Sequence, residues 1–442
     1  MSKNIIIKGT LILTIAGLLT KLLGFYNRIF LTRIIGVKEL GVYQLIFPIF
    51  MLAISLSCQG VATALTKHIS YYLSKRDYTG AKSVFRLGLA ISVVLSSFSA
   101  IIIYIFSNYI SMALLKNSDC EALLRIITVS LPFIAVKSCV NAYFLGDSNP
   151  KLQGILHMFE QIVRITSAYI LTYCVTITNL DASMATMAMV ISEILSSLLA
   201  VFLYKNKACI DTSIKTSGKT IPKQIITKSY LQDMLPITAN NLIFTIFASL
   251  EAMVLPAMLY KYYTSSDMAM GIYGIITGIV IPFLLFPATI TTSLSTMLLP
   301  AISNAKATND CEKINKAIKY CVVFCSILGI ISFFGYYTLG EWACLVAFKS
   351  EEAGIILRKM CFMCPLIYLS SLFSTILNGL DKAFKNMLIN IIGLIIRISI
   401  TIYLVPIHGL SAYILGIALS YFIIVILMGL SIRQCSKIRI ES

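Results

Sequence analysis

The sequence predicts an all-α polytopic membrane protein with about twelve transmembrane helices in two six-helix lobes, related by a parallel pseudo-twofold repeat. Hydrophobic residues make up 58% of the 442 residues and charged residues only 12%, which is too apolar for a soluble domain. Apolar stretches recur along the chain, and each is long enough to cross a hydrocarbon layer of about 30 Å. They lack the alternation of a transmembrane β-barrel, so the spans are predicted to be helices.

The apolar stretches, taken in chain order, give the predicted spans. They lie near residues 8–35, 40–70, 83–107, 121–146, 151–176, 182–205, 230–260, 268–302, 315–338, 354–379, 384–406 and 409–431. Lys3 and Lys8 precede the first apolar run, as in a signal peptide, but no small-residue cleavage site follows and the run continues to residue 35. We therefore expect this run to be the first helix.

Basic residues outside the spans concentrate at the two ends and in the even-numbered loops. The richest segment is 206–229, a connector with Lys207, Lys215, Lys219, Lys223 and Lys228. The clearest odd-numbered loop is acidic instead and contains Glu341, Glu351 and Glu352. By the positive-inside rule, we expect a multi-pass protein of a cytoplasmic (plasma) membrane with both termini cytoplasmic. This distribution explains the net charge of +17 without a nucleic-acid partner.

An internal repeat divides the chain into an N-lobe of residues 1–205, the connector 206–229 and a C-lobe of residues 230–442. Residues 146–164 align with residues 379–397 at an offset of 233, and the same offset places Asp77 on Asp310. Because each half has an even number of spans, both halves enter and leave on the same side, and the predicted axis runs along the membrane normal. Two such lobes favour a binding cleft near the midplane and transport by alternating access.

Charged residues inside the spans carry the functional prediction, because a cation near the bilayer centre costs at least about 2.5–3.5 kcal/mol. Lys21 and Arg28 lie seven residues apart on one face of the first helix and have no acidic neighbour on that helix. Arg164 and Arg397 occupy equivalent positions in the fifth and eleventh spans, and Lys137 lies well inside the fourth. A cleft lined by these cations would favour an anionic substrate with phosphate groups.

Structural roles stay open for part of this set. Glu160 and Arg164 are four residues apart on one helix and could simply neutralise each other. Lys137 could pair with Glu193 across helices. Glu193 and Glu251 are, in addition, candidates for coupling to an ion.

Several stretches resemble the stage V sporulation protein B family. They are TKLLGFYNRIFLTRIIG at 20–36, GVYQLIFPIF at 41–50, GVATALTKHISYYLSKRDYTGAK at 60–82, FEQIVRI at 159–165 and SLSTMLLPAISNA at 293–305. That family belongs to the MOP exporters, alongside polysaccharide translocases, the lipid II flippase and the MATE drug exporters. The resemblance implies a MATE-like flippase fold that moves an undecaprenyl-diphosphate-linked sugar, such as a peptidoglycan or polysaccharide precursor.

The resemblance also implies roles for residues of the first helix. Lys21 stands where the lipid II flippase has a functional arginine, and Asn27, next to Arg28, stands where it has a second one. The seventh and eighth spans depart from that flippase, because they contain Glu251 and no arginine. The predicted substrate-binding set is Lys21, Asn27, Arg28, Lys137, Glu160, Arg164 and Arg397.

Enzyme activity is not predicted. The chain has no GxxxxGK[ST] loop, and its three histidines form no recognisable catalytic set, so we expect no cofactor. Cys361 and Cys364 have CxxC spacing but no second pair, so no metal site is predicted. The expected partners are the lipid-linked glycan, the bilayer and cell-wall synthesis enzymes. A MATE-like antiporter of cationic drugs and a non-transporting scaffold for cell-wall or spore assembly remain as alternatives.

Overall fold

The computed structural model describes residues 3–75, 77–147, 149–174, 181–212, 223–291, 311–380 and 382–438. Every regular element within these ranges is helical. The longer α-helices are numbered here in chain order: α1 Lys3–Leu45, α2 Phe47–Ile54, α3 Gly60–Ser74, α4 Tyr78–Ile105, α5 Cys120–Thr128, α6 Ser130–Gly146, α7 Pro150–Cys174, α8 Ala182–Thr212, α9 Lys223–Tyr263, α10 Ser266–Gly274, α11 Ile281–Leu285, α12 Cys311–Phe348, α13 Glu351–Met360, α14 Cys364–Gly379, α15 Ala383–Tyr403 and α16 Leu410–Ile438.

The helices agree with the predicted spans and confirm the fold class. Within the described ranges, nine helices are long and apolar enough to cross a membrane, and a bent pair raises the number to ten. The first two predicted spans fall in one helical run, Gly17–Ser74, which has a non-helical backbone at Gly36 (φ 81°). Glycine adopts this positive φ without steric cost. The end of the predicted eighth span, residues 292–302, lies outside the described residues.

The chain forms two compact units, but their limits differ from the lobe boundaries predicted from the sequence. The first unit comprises residues 1–35 and 45–249, and the second comprises 36–44 and 250–442. Residues 230–249 were predicted to lie in the C-lobe and belong to the first unit instead, because side chains such as Tyr230 and Met234 pack against α3, α4 and α6. Helix α9 thus begins in the first unit and ends in the second. The connector 206–229 is helical at both ends, and its residues 213–222 lie outside the described residues.

Each unit breaks one of its helices at an equivalent position, as the repeat would require. In the first unit α5 and α6 meet at Val129 with a bend of 45°. In the second unit α13 and α14 are separated by a 3₁₀ turn, Cys361–Met363. Pro132 and Pro365, which are 233 residues apart, follow the two breaks by less than one turn. A proline ring clashes with the carbonyl group four residues earlier, so the sequence itself ends the preceding helix at both places.

The core of the first unit includes a helix from the second half of the sequence. Tyr230 of α9 is fully buried among side chains of α3, α4 and α6. Its hydroxyl donates a hydrogen bond to the carbonyl oxygen of Val61 at 3.2 Å. Next to it, the ring of His68 packs edge-on against Tyr230, with ring centroids 5.7 Å apart. These contacts fix α3 against α9 within the unit.

In the second unit, two helices approach each other closely at small residues. A Cβ atom placed on Gly41 would lie 2.2 Å from the carbonyl oxygen of Met270, and one placed on Gly274 would lie 2.2 Å from that of Val37. Only glycine permits this backbone approach between the end of α1 and α10.

Candidate functional site

Four of the charged residues predicted inside the spans meet in one buried cluster of the first unit. Lys137 Nζ of α6 donates to Glu160 Oε2 of α7 at 2.9 Å and also contacts Glu193 of α8. Arg164, one turn beyond Glu160 on α7, lies 2.5 Å from Glu160 Oε1 and 3.1 Å from Glu193 Oε1. Arg164 Nε also donates to Ser192 Oγ at 3.2 Å. Three helices are thereby tied together by two cations and two anions.

The cluster confirms the pairing of Lys137 with Glu193 and the pairing of Glu160 with Arg164. It is electrically neutral, because each cation is matched by a carboxylate. The positive surplus that the sequence predicted for these residues is therefore absent at Lys137 and Arg164. Their assignment to substrate binding stays a prediction, and the contacts assign them a structural role in addition.

Arg397 has a partner that the sequence did not indicate. Its Nη2 atom lies 2.6 Å from Glu251 Oε2, so α15 is paired with α9 inside the second unit. Tyr413 of α16 donates a hydrogen bond to Glu251 Oε1 at 3.2 Å, and the Tyr421 ring lies 5.9 Å from the Arg397 guanidinium carbon. Helix α15 contains no acidic residue, so spacing on one helix gives no sign of this partner. The cation predicted to line a cleft at Arg397 is thus matched by a carboxylate, and its assignment to substrate binding stays a prediction.

The first helix carries the remaining predicted residues. Lys21 is exposed and has no ion-pair partner among the described residues. Asn27 is buried, and its Oδ1 atom has no hydrogen-bond donor within the described part of the chain. Arg28 is partly buried, and its carbonyl oxygen accepts a hydrogen bond from Thr32 Oγ1 at 2.8 Å. Since α1 is helical without interruption from Lys3 to Ile35, Lys21 and Arg28 share a helix face as predicted.

A cavity of about 640 Å³ lies next to the four-charge cluster, inside the first unit. Residues of α3, α6 and α7 line it, and Lys137 is one of them. The polar lining also includes Thr63, Thr66, Asn141, Gln153 and His157. The volume falls in the range of about 300–1,000 Å³ that is typical of small-ligand sites. Neither Asn141 nor His157 was predicted to be a site residue; each is a polar residue in an apolar or amphipathic helix, and that is the only signal the sequence gives.

A second group of ion pairs, which was not predicted from the sequence, joins α3 to α9. Lys67 Nζ donates to both carboxylate oxygens of Asp233 at 2.9 Å, and His68 Nε2 lies 2.9 Å from Asp233 Oδ2. These contacts join the cytoplasm-predicted end of α3 to the start of α9. Lys67, which also lines the cavity, is thus matched by a carboxylate.

Comparison with curated proteins gives relatives over nearly the whole chain. Stage V sporulation protein B of Bacillus subtilis (strain 168) is 27% identical and covers 100% of this chain and 86% of its own length. Lipid II flippase MurJ of the same organism is 21% identical and covers 94% of this chain and 80% of its own length.

Solved structures of MOP-superfamily transporters share the fold of this chain. An inward-facing multidrug-resistance MATE transporter matches 96% of this chain and 96% of its own, with a TM-score of 0.76 at 16% identity. A MOP superfamily transporter from Pyrococcus furiosus, whose binding pocket is described as having reversed polarity, matches 99% and 96% with a TM-score of 0.72 at 15% identity. The family model for polysaccharide biosynthesis proteins matches residues 6–306, more than half of the sequence. The chain therefore has the fold of MOP-superfamily transporters and belongs to the polysaccharide biosynthesis protein family.

Proposed function

We propose that this protein moves an anionic, undecaprenyl-diphosphate-linked glycan precursor outward across the cytoplasmic membrane by alternating access. The observation that carries the proposal is Lys21, an exposed cation in an apolar span without an ion-pair partner among the described residues. Such a residue is retained in a span when it faces a polar group, and a diphosphate supplies one. The name of one Bacillus relative, lipid II flippase, supports a lipid-linked cargo, and the basic ends and even-numbered loops support cytoplasmic termini.

The paired carboxylates argue against the export of cationic drugs. Such a transporter needs an acidic side chain that is available to a cation. Here Glu160 and Glu193 contact Lys137 and Arg164, and Glu251 contacts Arg397. Each of these carboxylates is already neutralised.

Membrane potential is sufficient, in this proposal, to drive the transport. With the inside negative, each negative charge that moves outward gains about 2.3 kcal/mol per 100 mV. A diphosphate headgroup therefore needs no second ion. Equal translocation rates with and without an imposed potential would rule out this driving force.

The test is translocation of an undecaprenyl-diphosphate-linked sugar in vesicles that contain the purified full chain. We expect Lys21→Ala to abolish most of the translocation and Lys21→Arg to retain it, because the arginine keeps the charge. Lys205→Ala, which removes an exposed lysine near the end of α8, is the matched control and should behave as the wild type.

Three outcomes would contradict the proposal. A wild-type chain that does not move the lipid-linked sugar would favour the scaffold alternative. Lys21→Ala with unchanged translocation would remove the contact that carries the argument. Altered drug resistance with unchanged glycan translocation would favour a drug exporter.

A further inference from the structure

The cavity beside the four-charge cluster is bounded by oxygen atoms that lack donors. Asn141 Oδ1 of α6 and Gln153 Oε1 of α7 are buried and have no hydrogen-bond donor within the described part of the chain. Thr63 Oγ1 and Thr66 Oγ1 of α3 donate to the carbonyl oxygens of Gln59 and Ala62, both at 2.9 Å. Each threonine hydroxyl has used its hydrogen, so both threonine oxygens and both amide oxygens can act only as hydrogen-bond acceptors for a ligand.

With His157 neutral, the wall of this cavity carries no net charge; the Nδ1 atom of this lining histidine lies 3.8 Å from Glu160 Oε2. The lining cation Lys137 is matched by Glu160 and Glu193, which also bind Arg164, and the lining cation Lys67 is matched by Asp233. A phosphate would find both cations already paired. A cationic ligand would lie close to Lys67 and Lys137, and the free acceptors of the wall are neutral oxygens that offer it no counter-charge. The wall therefore suits a neutral molecule with many donors, and the hydroxyl groups of a sugar fit that description.

The internal repeat provides a comparison within the same chain. At the offset of 233, Asn141 corresponds to Ser374, Gln153 to Asn386, and His157 to Asn390. The second unit closes this set on itself. Asn386 Nδ2 donates to Ser374 Oγ at 2.8 Å, and Asn390 Nδ2 donates to Asn386 Oδ1 at 3.1 Å. The corresponding amide oxygens of the first unit have no such donors, so the two halves differ at the positions that line the cavity.

Burying an amide oxygen without a hydrogen-bond donor destabilises the protein by roughly 1–3 kcal/mol per group, the cost of removing the oxygen from water. Water can satisfy it when the cavity is polar and large enough, and here it is both. Sugar hydroxyls that replace this water keep the hydrogen bonds, whereas an apolar group would not.

We propose that this cavity binds an uncharged, hydroxyl-rich sugar unit, with Asn141 Oδ1 and Gln153 Oε1 accepting hydrogen bonds from it. The proposal rests on the proposed function and deepens it, since it separates recognition of the sugar from recognition of the diphosphate at Lys21. Two chemically different parts of one substrate then bind at two places. The diphosphate binds at Lys21 on α1, and the sugar hydroxyl groups bind between α3, α6 and α7.

The test compares two lipids in vesicles that contain the full chain: undecaprenyl diphosphate and the same carrier linked to N-acetylglucosamine. Asn141→Leu and Gln153→Leu remove the two acceptors. Leucine is similar in size to both amides and leaves no unsatisfied polar group in the buried wall. We expect the double variant to move the sugar-linked lipid about tenfold more slowly, the effect of losing two neutral hydrogen bonds, and to move the bare carrier at the wild-type rate. Asn390→Leu, the matched amide of the second unit, should move both lipids normally.

Ala62→Phe provides an independent variant, because it fills the cavity and leaves every polar group in place. It should reproduce the selective loss. Unchanged transport of the sugar-linked lipid in both variants would overturn the proposal, and so would an equal loss for the two lipids, since the sugar would then make no difference.

A binding measurement keeps the proposal testable if the wild type moves neither lipid and the proposed function fails. Ser138→Cys places a thiol on the cavity wall, and its labelling by a maleimide is read by mass spectrometry of the peptide that contains residue 138. Free N-acetylglucosamine should slow this labelling, and the added Asn141→Leu substitution should abolish the protection. No protection by the free sugar in the otherwise unchanged chain would overturn the sugar site.

Discussion

Removal of Lys137 from the four-charge cluster tests whether the buried ion pairs stabilise the first unit. Lys137→Met keeps the length of the side chain and removes its charge. Glu160 and Glu193 then share Arg164 as their remaining cation, although both carboxylates are less than one-tenth exposed. Two carboxylates with one counter-charge leave a net negative charge in the interior, and breaking a buried pair in this way costs about 3–5 kcal/mol.

The expected change is large enough to measure by thermal unfolding of the purified protein in detergent. In a unit of this size each kcal/mol shifts Tm by about 2–4 °C, so Lys137→Met should lower Tm by roughly 6–20 °C. Lys38→Met is the matched control. Lys38 pairs with Asp267 at 2.8 Å, but both side chains are largely exposed, so its loss should cost less than about 1 kcal/mol.

The double variant Lys137→Met with Glu193→Gln makes the interpretation specific. It restores neutrality by leaving Glu160 paired with Arg164, and we expect it to recover most of the lost stability. If Lys137→Met unfolds at the same temperature as Lys38→Met, the buried charges contribute no more than a surface pair and the reasoning fails. If the double variant is less stable than Lys137→Met alone, uncompensated charge is not the cause.

Two further predictions concern the second unit. Glu251→Gln should lower the free energy of unfolding by about 3–5 kcal/mol, because it leaves Arg397 buried without its counter-charge; recovery in the double variant with Arg397→Met would confirm the cause, and full stability of Glu251→Gln would contradict it. Gly41→Ala should lower Tm, since the added Cβ meets the carbonyl oxygen of Met270 at 2.2 Å, and the strain is expected to be about 1–3 kcal/mol. Gly335→Ala, where a Cβ meets no atom within 4 Å, is the control, and an equal effect of the two substitutions would argue against the close approach.

Hydropathy predicted the helices well because one physical requirement, backbone hydrogen bonding inside the bilayer, determines where helices lie. In a bilayer every backbone group must bond within its own segment, so length and apolar character nearly determine where a helix lies. The helix break at Val129 can also be predicted from the local sequence, because Pro132 follows it by three residues. The lobe boundary was predicted less well, since hydropathy locates spans and does not say which neighbours a span contacts. Residues 230–249 pack in the first unit for reasons of side-chain contact that no periodicity reveals.

Some ion pairs of the candidate site could be predicted from the sequence and others could not. The pairing of Glu160 with Arg164 follows from their spacing on one helix, and the pairing of Lys137 with Glu193 was considered because both residues lie inside predicted spans, the fourth and the sixth. The partner of Arg397 was not predicted, because Glu251 lies on a helix far away along the chain. The donorless oxygens of Asn141 and Gln153 require coordinates, because a sequence does not say whether an amide has found a partner.

The burial of Tyr230 in the first unit bears on how a duplicated protein of this kind can be taken apart. A fragment that stops after α8 lacks the fully buried phenol and its bond to Val61, although it contains all six spans counted from its own sequence. A break placed after residue 249 would leave that core whole. The sequence repeat and the compact unit thus do not share a boundary, and we expect a gene cut at the sequence midpoint to yield a first half with an incomplete core unless the other half is made in the same cell.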